Sequence, residues 1–211
     1  MKRIIVVFMV VLALPVMAFS QDLKGIDEIA PFSDGLAAVR QGNQWGFINQ
    51  EGALVIDFRS DLLWNKDANT SRSDIKGVRY PMFKEGKCIV WKMEGDIPLY
   101  GFMDKTGVVV IEPQFLNVRS FENGYTTGVL FRKVLMGQNE IKMSVFYYKF
   151  NDVLMDSSGK IVEFFGEREN IQMRKNRYEL PSIWVNKLSD KAVAVKTKGK
   201  GWDVRKLALE N

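Results

Sequence analysis

The 211-residue chain contains no histidine and one cysteine, Cys88. The missing histidine excludes Ser-His-Asp and Cys-His catalysis. A single cysteine excludes an intramolecular disulfide and a structural zinc site, which needs three or four soft ligands. Without a nearby cation and solvent access, Cys88 is expected to be a small buried apolar side chain. Neither sign of charge dominates, with 30 basic and 25 acidic residues. What the chain does have is apolar material: 46% of its residues are hydrophobic and 12% aromatic. That suffices for a good core and excludes a disordered or collagen-like chain.

The N-terminus reads as a targeting segment. Lys2 and Arg3 precede a charge-free run from Ile4 to Phe19, and Ala18 and Ser20 put small residues before a cut at Gln21. This order is that of a secretory signal peptide over residues 1–20, and the run is short for a spanning helix of about 20 residues. An uncleaved anchor is the alternative. Export would place the chain in a periplasm, on an outer surface or in the medium, with no spanning helix after cleavage. Cleavage leaves a net charge of +3. Residues 21–165 are nearly balanced, while residues 166–211 hold eleven basic and six acidic side chains.

The rest of the chain repeats itself. Phe32-Ser-Asp-Gly35 is followed by a β-prone run, a Gly42 spacer, Trp45-Gly46-Phe47-Ile48 and Asn49-Gln-Glu-Gly52. Phe83-Lys-Glu-Gly86 leads in the same order to Tyr100-Gly101-Phe102-Met103 and Asp104-Lys-Thr-Gly107. A third copy opens at Phe121-Glu-Asn-Gly124 and resumes, after a long insert, at Asp156-Ser-Ser-Gly159. A degraded fourth spans residues 188–205. Phe-x-(Asp/Glu/Asn)-Gly predicts a tight turn that starts a strand, with Phe32, Phe83 and Phe121 burying it. Asx-x-x-Gly predicts a short hairpin loop with a left-handed glycine. Gly46 and Gly101 leave room for a ring or backbone to approach. Pro113 is expected to end the third strand of its unit. Each unit is therefore a three-stranded meander, with borders near 32–59, 83–118, 121–163 and 188–205.

Linked in order, Phe-x-(Asp/Glu)-Gly, (Trp/Tyr)-Gly-Phe-(Ile/Met)-(Asn/Asp)-x-x-Gly and Val-Ile-Glu-Pro-Gln-Phe resemble the WG-repeat family of bacterial proteins. Residues 32–59 and 83–118 match well. The third unit has Asn151-Asp152-Val153 where the aromatic-Gly step belongs, and the fourth has Lys191 for the turn glycine. The resemblance implies an exported β-rich scaffold with no settled activity, and a fold alone does not give a function.

Outside the units, residues 60–80 read as a long loop with one helical turn. Lys142–Phe150 reads as a β-prone edge, and residues 165–181 as a short helix or loop. No linker splits the mature chain, so one domain over 21–211 is expected. The architecture expected is all-β: antiparallel three-stranded meanders stacked as a solenoid-like or partly closed, propeller-like array.

Carboxylates are the strong acids and bases that remain. Asp104 and Asp156 recur, but their counterpart Asn49 cannot titrate, so a turn role is expected for all three. No catalytic, cofactor or metal residue is assigned. Asp61, Asn65, Asp67 and Asn69 lack the glycine and terminal glutamate of a calcium loop. Lys196, Lys198 and Lys200 would share one face of a strand and offer an anionic partner a basic surface. Trp91, whose counterpart in the first unit is Arg40, is the ring expected to be exposed. The function expected is a non-enzymatic extracytoplasmic scaffold for another protein or an anionic envelope polymer. The alternatives are a carbohydrate-binding module using Trp91 and, further off, a carboxylate hydrolase. Nucleic acid is not an expected partner at this charge.

Overall fold

Thirteen strands account for the regular structure in the computed structural model, which describes residues 23–169, 171–197 and 199–207. Residues 1–22, which hold the expected signal segment, and Lys198 lie outside the described residues. Every pairing is antiparallel. The first sheet runs in the order β1 (Glu28–Ile29), β2 (Ala37–Gln41), β3 (Gln44–Ile48), β4 (Leu54–Arg59). The second joins β5 (Cys88–Glu94), β6 (Ile97–Met103), β7 (Val109–Val118), β8 (Tyr125–Gln138), β9 (Ser144–Asp156) and β10 (Ile161–Arg168) in chain order. The third is β11 (Val185–Ser189), β12 (Ala192–Thr197) and β13 (Gly201–Lys206). Each sheet runs from edge to edge, and none closes on itself.

The meander units are present. The Phe-x-(Asp/Glu/Asn)-Gly turns place two successive residues in the left-handed region: Asp34 and Gly35 (φ 53° and 83°), Glu85 and Gly86 (51° and 74°), Asn123 and Gly124 (51° and 75°). Two positive φ values make type I′ turns, which match the twist of the strands they join. The acidic side chains of the first two turns bond the next unit's backbone rather than their own. Asp34 Oδ2 accepts from the Gly86 N–H at 2.7 Å, and the two Glu85 carboxylate oxygens accept from the Asn123 and Gly124 N–H groups at 2.5 and 2.8 Å. One unit's turn thus caps the next. Glu85→Gln removes one charged acceptor from this clamp and should lower stability by about 1 kcal/mol in urea unfolding. Glu51→Gln, on a turn that clamps nothing, should not.

The turn phenylalanines follow the same rule in the opposite direction. Phe83 packs edge-to-face on Phe47 (4.7 Å) and Phe121 on Phe102 (4.9 Å), each reaching back to the preceding unit. Both are buried. Phe32, expected to be buried, is 51% exposed. Among the described residues no unit precedes it, so its ring has no such partner.

The Asx loops are hairpins closed by a side chain. Asn49 Oδ1 accepts from the Glu51 and Ala53 N–H groups, Asp104 Oδ1 from Thr106 and Val108, and Asp156 Oδ1 from Ser158 and Lys160. Hydrogen bonds from Thr106 hold the Asp104 carboxyl below the usual range. These oxygens are spent on the turn, as the Asn49 counterpart implied. The second loop also meets the preceding unit: Arg59, at the end of β4, donates to the Gly107 carbonyl at 2.6 Å.

Pro113 does not end its strand. β7 continues to Val118, because the register jumps there: Phe102 faces Ile111 while Tyr100 faces Phe115. Glu112, Pro113 and Gln114 bulge over Gly101 alone, so the missing proline N–H breaks no ladder bond. The same jump occurs over Gly46, between Trp45↔Arg59 and Phe47↔Ile56.

The fourth unit begins earlier than expected, with β11 at Val185 rather than residue 188. In the 60–80 insert the one helical turn is the 3-10 turn Ile75–Gly77, capped by Asp74. Among the described residues of 165–181 there is no helix: β10 extends to Arg168, and turns and coil occupy 171–181.

Candidate interaction surface

β8 and β9 are longer than their neighbours. β7 pairs with β8 only as far as Leu130, and β10 pairs with β9 only over Phe150–Met155. Residues 132–149 therefore pair only with each other and project as a two-stranded arm, with both edges free of ladder partners. From Phe131 to Gln138 the arm reaches roughly 23 Å at the rise of an extended strand. Its tip is an Asx loop like the others, with Asn139 Oδ1 accepting from the Ile141 and Met143 N–H groups. Lys142 takes the glycine position at φ 60°.

The arm is apolar on both faces. Leu135 faces Phe146, and Lys133 faces Tyr148 beside it, while Val134 faces Tyr147 on the other side. Met136 is 68% and Ile141 74% exposed, and Met143, Phe146 and Tyr148 are exposed with them. Folding leaves much of these side chains in solvent, and a contiguous patch of this kind marks an interaction surface. Lysines guard it: Lys133 Nζ lies 4.5 Å from the Phe146 ring centre and Lys149 Nζ 5.5 Å from that of Tyr147. Within residues 132–149, Arg132, Lys133, Lys142 and Lys149 stand against one acid, Glu140, and Lys133 also pairs with Glu94 at 3.8 Å. A lysine-rich free edge resists pairing with copies of itself and favours an acidic partner.

A family model described as WG containing repeat matches residues 25–45, 45–65 and 100–127. The chain carries WG containing repeats. No curated protein and no solved structure matches the chain.

In the first WG unit Trp45 is fully buried, edge-to-face with Trp64 at 5.7 Å. In the second, Tyr100 is buried likewise. Trp91 is not the exposed ring that was expected. It is half-buried against the Tyr100 and Phe102 cluster. Its counterpart Arg40 was a misleading guide, because that guanidinium stacks on Trp64 (5.6 Å) and bonds Glu28 rather than facing water. The exposed tryptophan is Trp202, at 51%. It pairs with Lys196 as Trp45 pairs with Arg40, but β13 is a sheet edge and no strand covers the ring.

The lysine face also differs from the expectation. Lys196 is exposed on β12, but the strand ends at Thr197 and Lys200 lies in the following turn, so the two do not share a strand face. Cys88 is buried, and burial pushes its thiol up to about 12, which leaves no thiolate for chemistry at neutral pH. Asn65 and Asn69 close Asx turns onto Asp67 and Ser71. Among the described residues, no helix is long and apolar enough to cross a membrane.

A cleft of about 290 Å³ lies beneath the 60–80 insert, between Leu63, Tyr80 and Ile89. Its charged floor is a hydrogen-bonded network in which the Asn117 Oδ1 has no partner among the described residues. Arg72 bonds Asp74, and Asn117 donates to Asp74 at 3.1 Å and to the Pro181 carbonyl at 2.9 Å. Burial raises the Asp74 carboxyl, and these bonds more than offset it, leaving it below its ordinary value. The network ties the insert to β7, a structural task.

Proposed function

We propose that this chain is a non-enzymatic repeat scaffold that works outside the cytoplasm and docks a partner protein on its projecting arm. The observation that carries the reading is the arm itself: apolar on both faces, open on both edges and basic. The partner of matching chemistry presents an apolar strand edge flanked by carboxylates, adding a strand to the arm. The order of residues 1–20 supports export. The recurring acids support a scaffold rather than an enzyme, since each is committed to a turn. The turn-to-turn clamp supports units stacked in sequence as an open, solenoid-like array.

The test is site-specific photo-crosslinking from position 146 in the producing cell, with position 51 as control. The expected result is one dominant protein adduct, on a chain that begins at Gln21. Binding of that protein to the purified chain should weaken about tenfold or more in the combined variant Leu135→Ser, Phe146→Ser, Tyr148→Ser, with an unchanged unfolding midpoint. An adduct pattern no different from position 51, or binding indifferent to the combined variant, would overturn the proposal.

A further inference from the structure

In the third unit the repeat's aromatic is replaced by an acid. Counting back four residues from the Asx of each loop gives Trp45, Tyr100 and Asp152. Asp152 is 3% exposed, in a place where the other units bury a ring. A buried carboxylate there costs stability, and departures of that kind concentrate at functional sites. Asp152 holds two groups. Its Oδ1 accepts the Trp184 backbone N–H at 2.9 Å, and its Oδ2 lies 3.2 Å from Arg168 Nε. The second contact is out of line for a hydrogen bond, so the Arg168 Nε–H, buried with nine-tenths of its side chain, has no hydrogen-bonding partner among the described residues. The Arg168 guanidinium also stacks 3.9 Å from the centre of the Trp184 ring and donates to the Ser182 carbonyl.

This stacked pair lines a groove of about 690 Å³ between the end of β10 and the segment leading to β11. That size lies within the roughly 300–1,000 Å³ of small-ligand clefts. The other walls are Glu167, Glu169, Gln172, Arg177 and Glu179. With Arg168 offset by Asp152, three carboxylates face one free guanidinium, and the excess negative charge excludes an anionic ligand. Arg168 covers one face of the indole, so a ligand stacks on the other. What remains is an apolar ring surface beside planar groups that donate and accept hydrogen bonds in pairs. That combination fits the C–H face and vicinal hydroxyls of a neutral sugar.

We infer that the groove between β10 and β11 binds a neutral oligosaccharide, with Trp184, backed by Arg168, as stacking platform and Gln172 and Glu179 meeting its hydroxyls. The site is separate from the arm and does not depend on the docking proposal. The test is tryptophan fluorescence and calorimetric titration of the whole purified chain against cellohexaose, maltohexaose, chitohexaose and a wider array of neutral glycans. Oligolysine is the cationic control.

Saturable binding of a neutral glycan is expected, weakened about tenfold or more by Trp184→Ala. Glu179→Gln, which leaves the Asp152 contacts intact, should weaken the same binding without moving the unfolding midpoint. The arm variant should bind as wild type does. No saturable response to any neutral glycan, binding that survives both Trp184→Ala and Glu179→Gln, or a response to oligolysine alone would each overturn the inference.

Discussion

Gly101→Ala is expected to lower the unfolding free energy by about 3–5 kcal/mol, among the largest effects of any single methyl group added to this chain. A Cβ at Gly101 would lie 2.3 Å from the Ile111 carbonyl oxygen, 2.6 Å from the Pro113 nitrogen and 2.7 Å from the Glu112 carbonyl carbon. All three are backbone atoms of the bulge that crosses above the glycine, and backbone pinned by ladder bonds on both sides cannot rotate away. Strain at φ is not the cause, since Gly101 is not in the left-handed region. The prediction is therefore a ranking as well as a magnitude. At Gly46 the nearest atom would be the Ile56 carbonyl oxygen at 2.8 Å, so alanine there should cost about 2 kcal/mol. At Gly52 nothing lies within 4 Å, but φ is 78°. Alanine at that position should cost about 1 kcal/mol, through the left-handed backbone alone. Urea unfolding of the three variants checks the order. Equal losses at Gly101 and Gly52 would show that the bulge yields and that the glycine of the WG step serves chain freedom rather than clearance.

The same glycine explains what was legible in the sequence. Turn and hairpin positions could be read because a left-handed residue and a capping oxygen leave their mark locally, in four consecutive residues. Asn49, Asp104 and Asp156 were read correctly on that basis. Clearance between strands is not local. In the first two units valine faces the glycine, as Val39↔Gly46 and Val90↔Gly101. In the third the pair is inverted to Gly128↔Val153. Read along the sequence, the third unit lacks its aromatic-Gly step; read across the ladder, the glycine has moved to the opposite strand.

Other misses have the same origin. The Asn139 loop was hidden because Lys142 occupies the left-handed position. Phe32 looks identical to Phe83 and Phe121, and it is exposed because no preceding unit lies against it among the described residues. The arm's strands could be seen as β-prone, but their projection depends on where β7 and β10 stop pairing, which no residue within the arm records. Nor does the sequence bring Asp152, Arg168 and Trp184 together; the repeat register does, once the acid is seen to occupy a ring's place.

That acid makes the second large prediction. Asp152→Ala should cost about 3 kcal/mol and Asp152→Asn less, about 1–2 kcal/mol. Alanine strips the acceptor from the buried Trp184 N–H and leaves a void beside Arg168. Asparagine keeps one oxygen for the Trp184 N–H and sets its NH2 beside Arg168, removing the charge. That removal is tolerable because burial raises the Asp152 carboxyl above its ordinary value despite the opposing pull of Arg168, the Trp184 N–H and Arg119. Burial likewise lowers Arg168 against the pull of Asp152. Both charges are held at a cost. Because the folded value for Asp152 is the higher one, the native chain binds more protons than the unfolded chain between the two values. Wild-type stability should therefore rise relative to Asp152→Asn as pH falls through the folded value toward the ordinary carboxylate value of about 4, the gain being complete below it. Carboxylates common to both proteins, such as Asp74 and Asp104, change both curves alike and drop out of the difference. Paired urea titrations from about pH 7 to pH 4 read this difference directly. If Asp152→Asn proves as damaging as Asp152→Ala at neutral pH, and the gap to wild type closes rather than widens in the wild type's favour on acidification, attraction to Arg168 outweighs burial. The pair would then be a net stabilising bridge rather than a costly fixture of the groove.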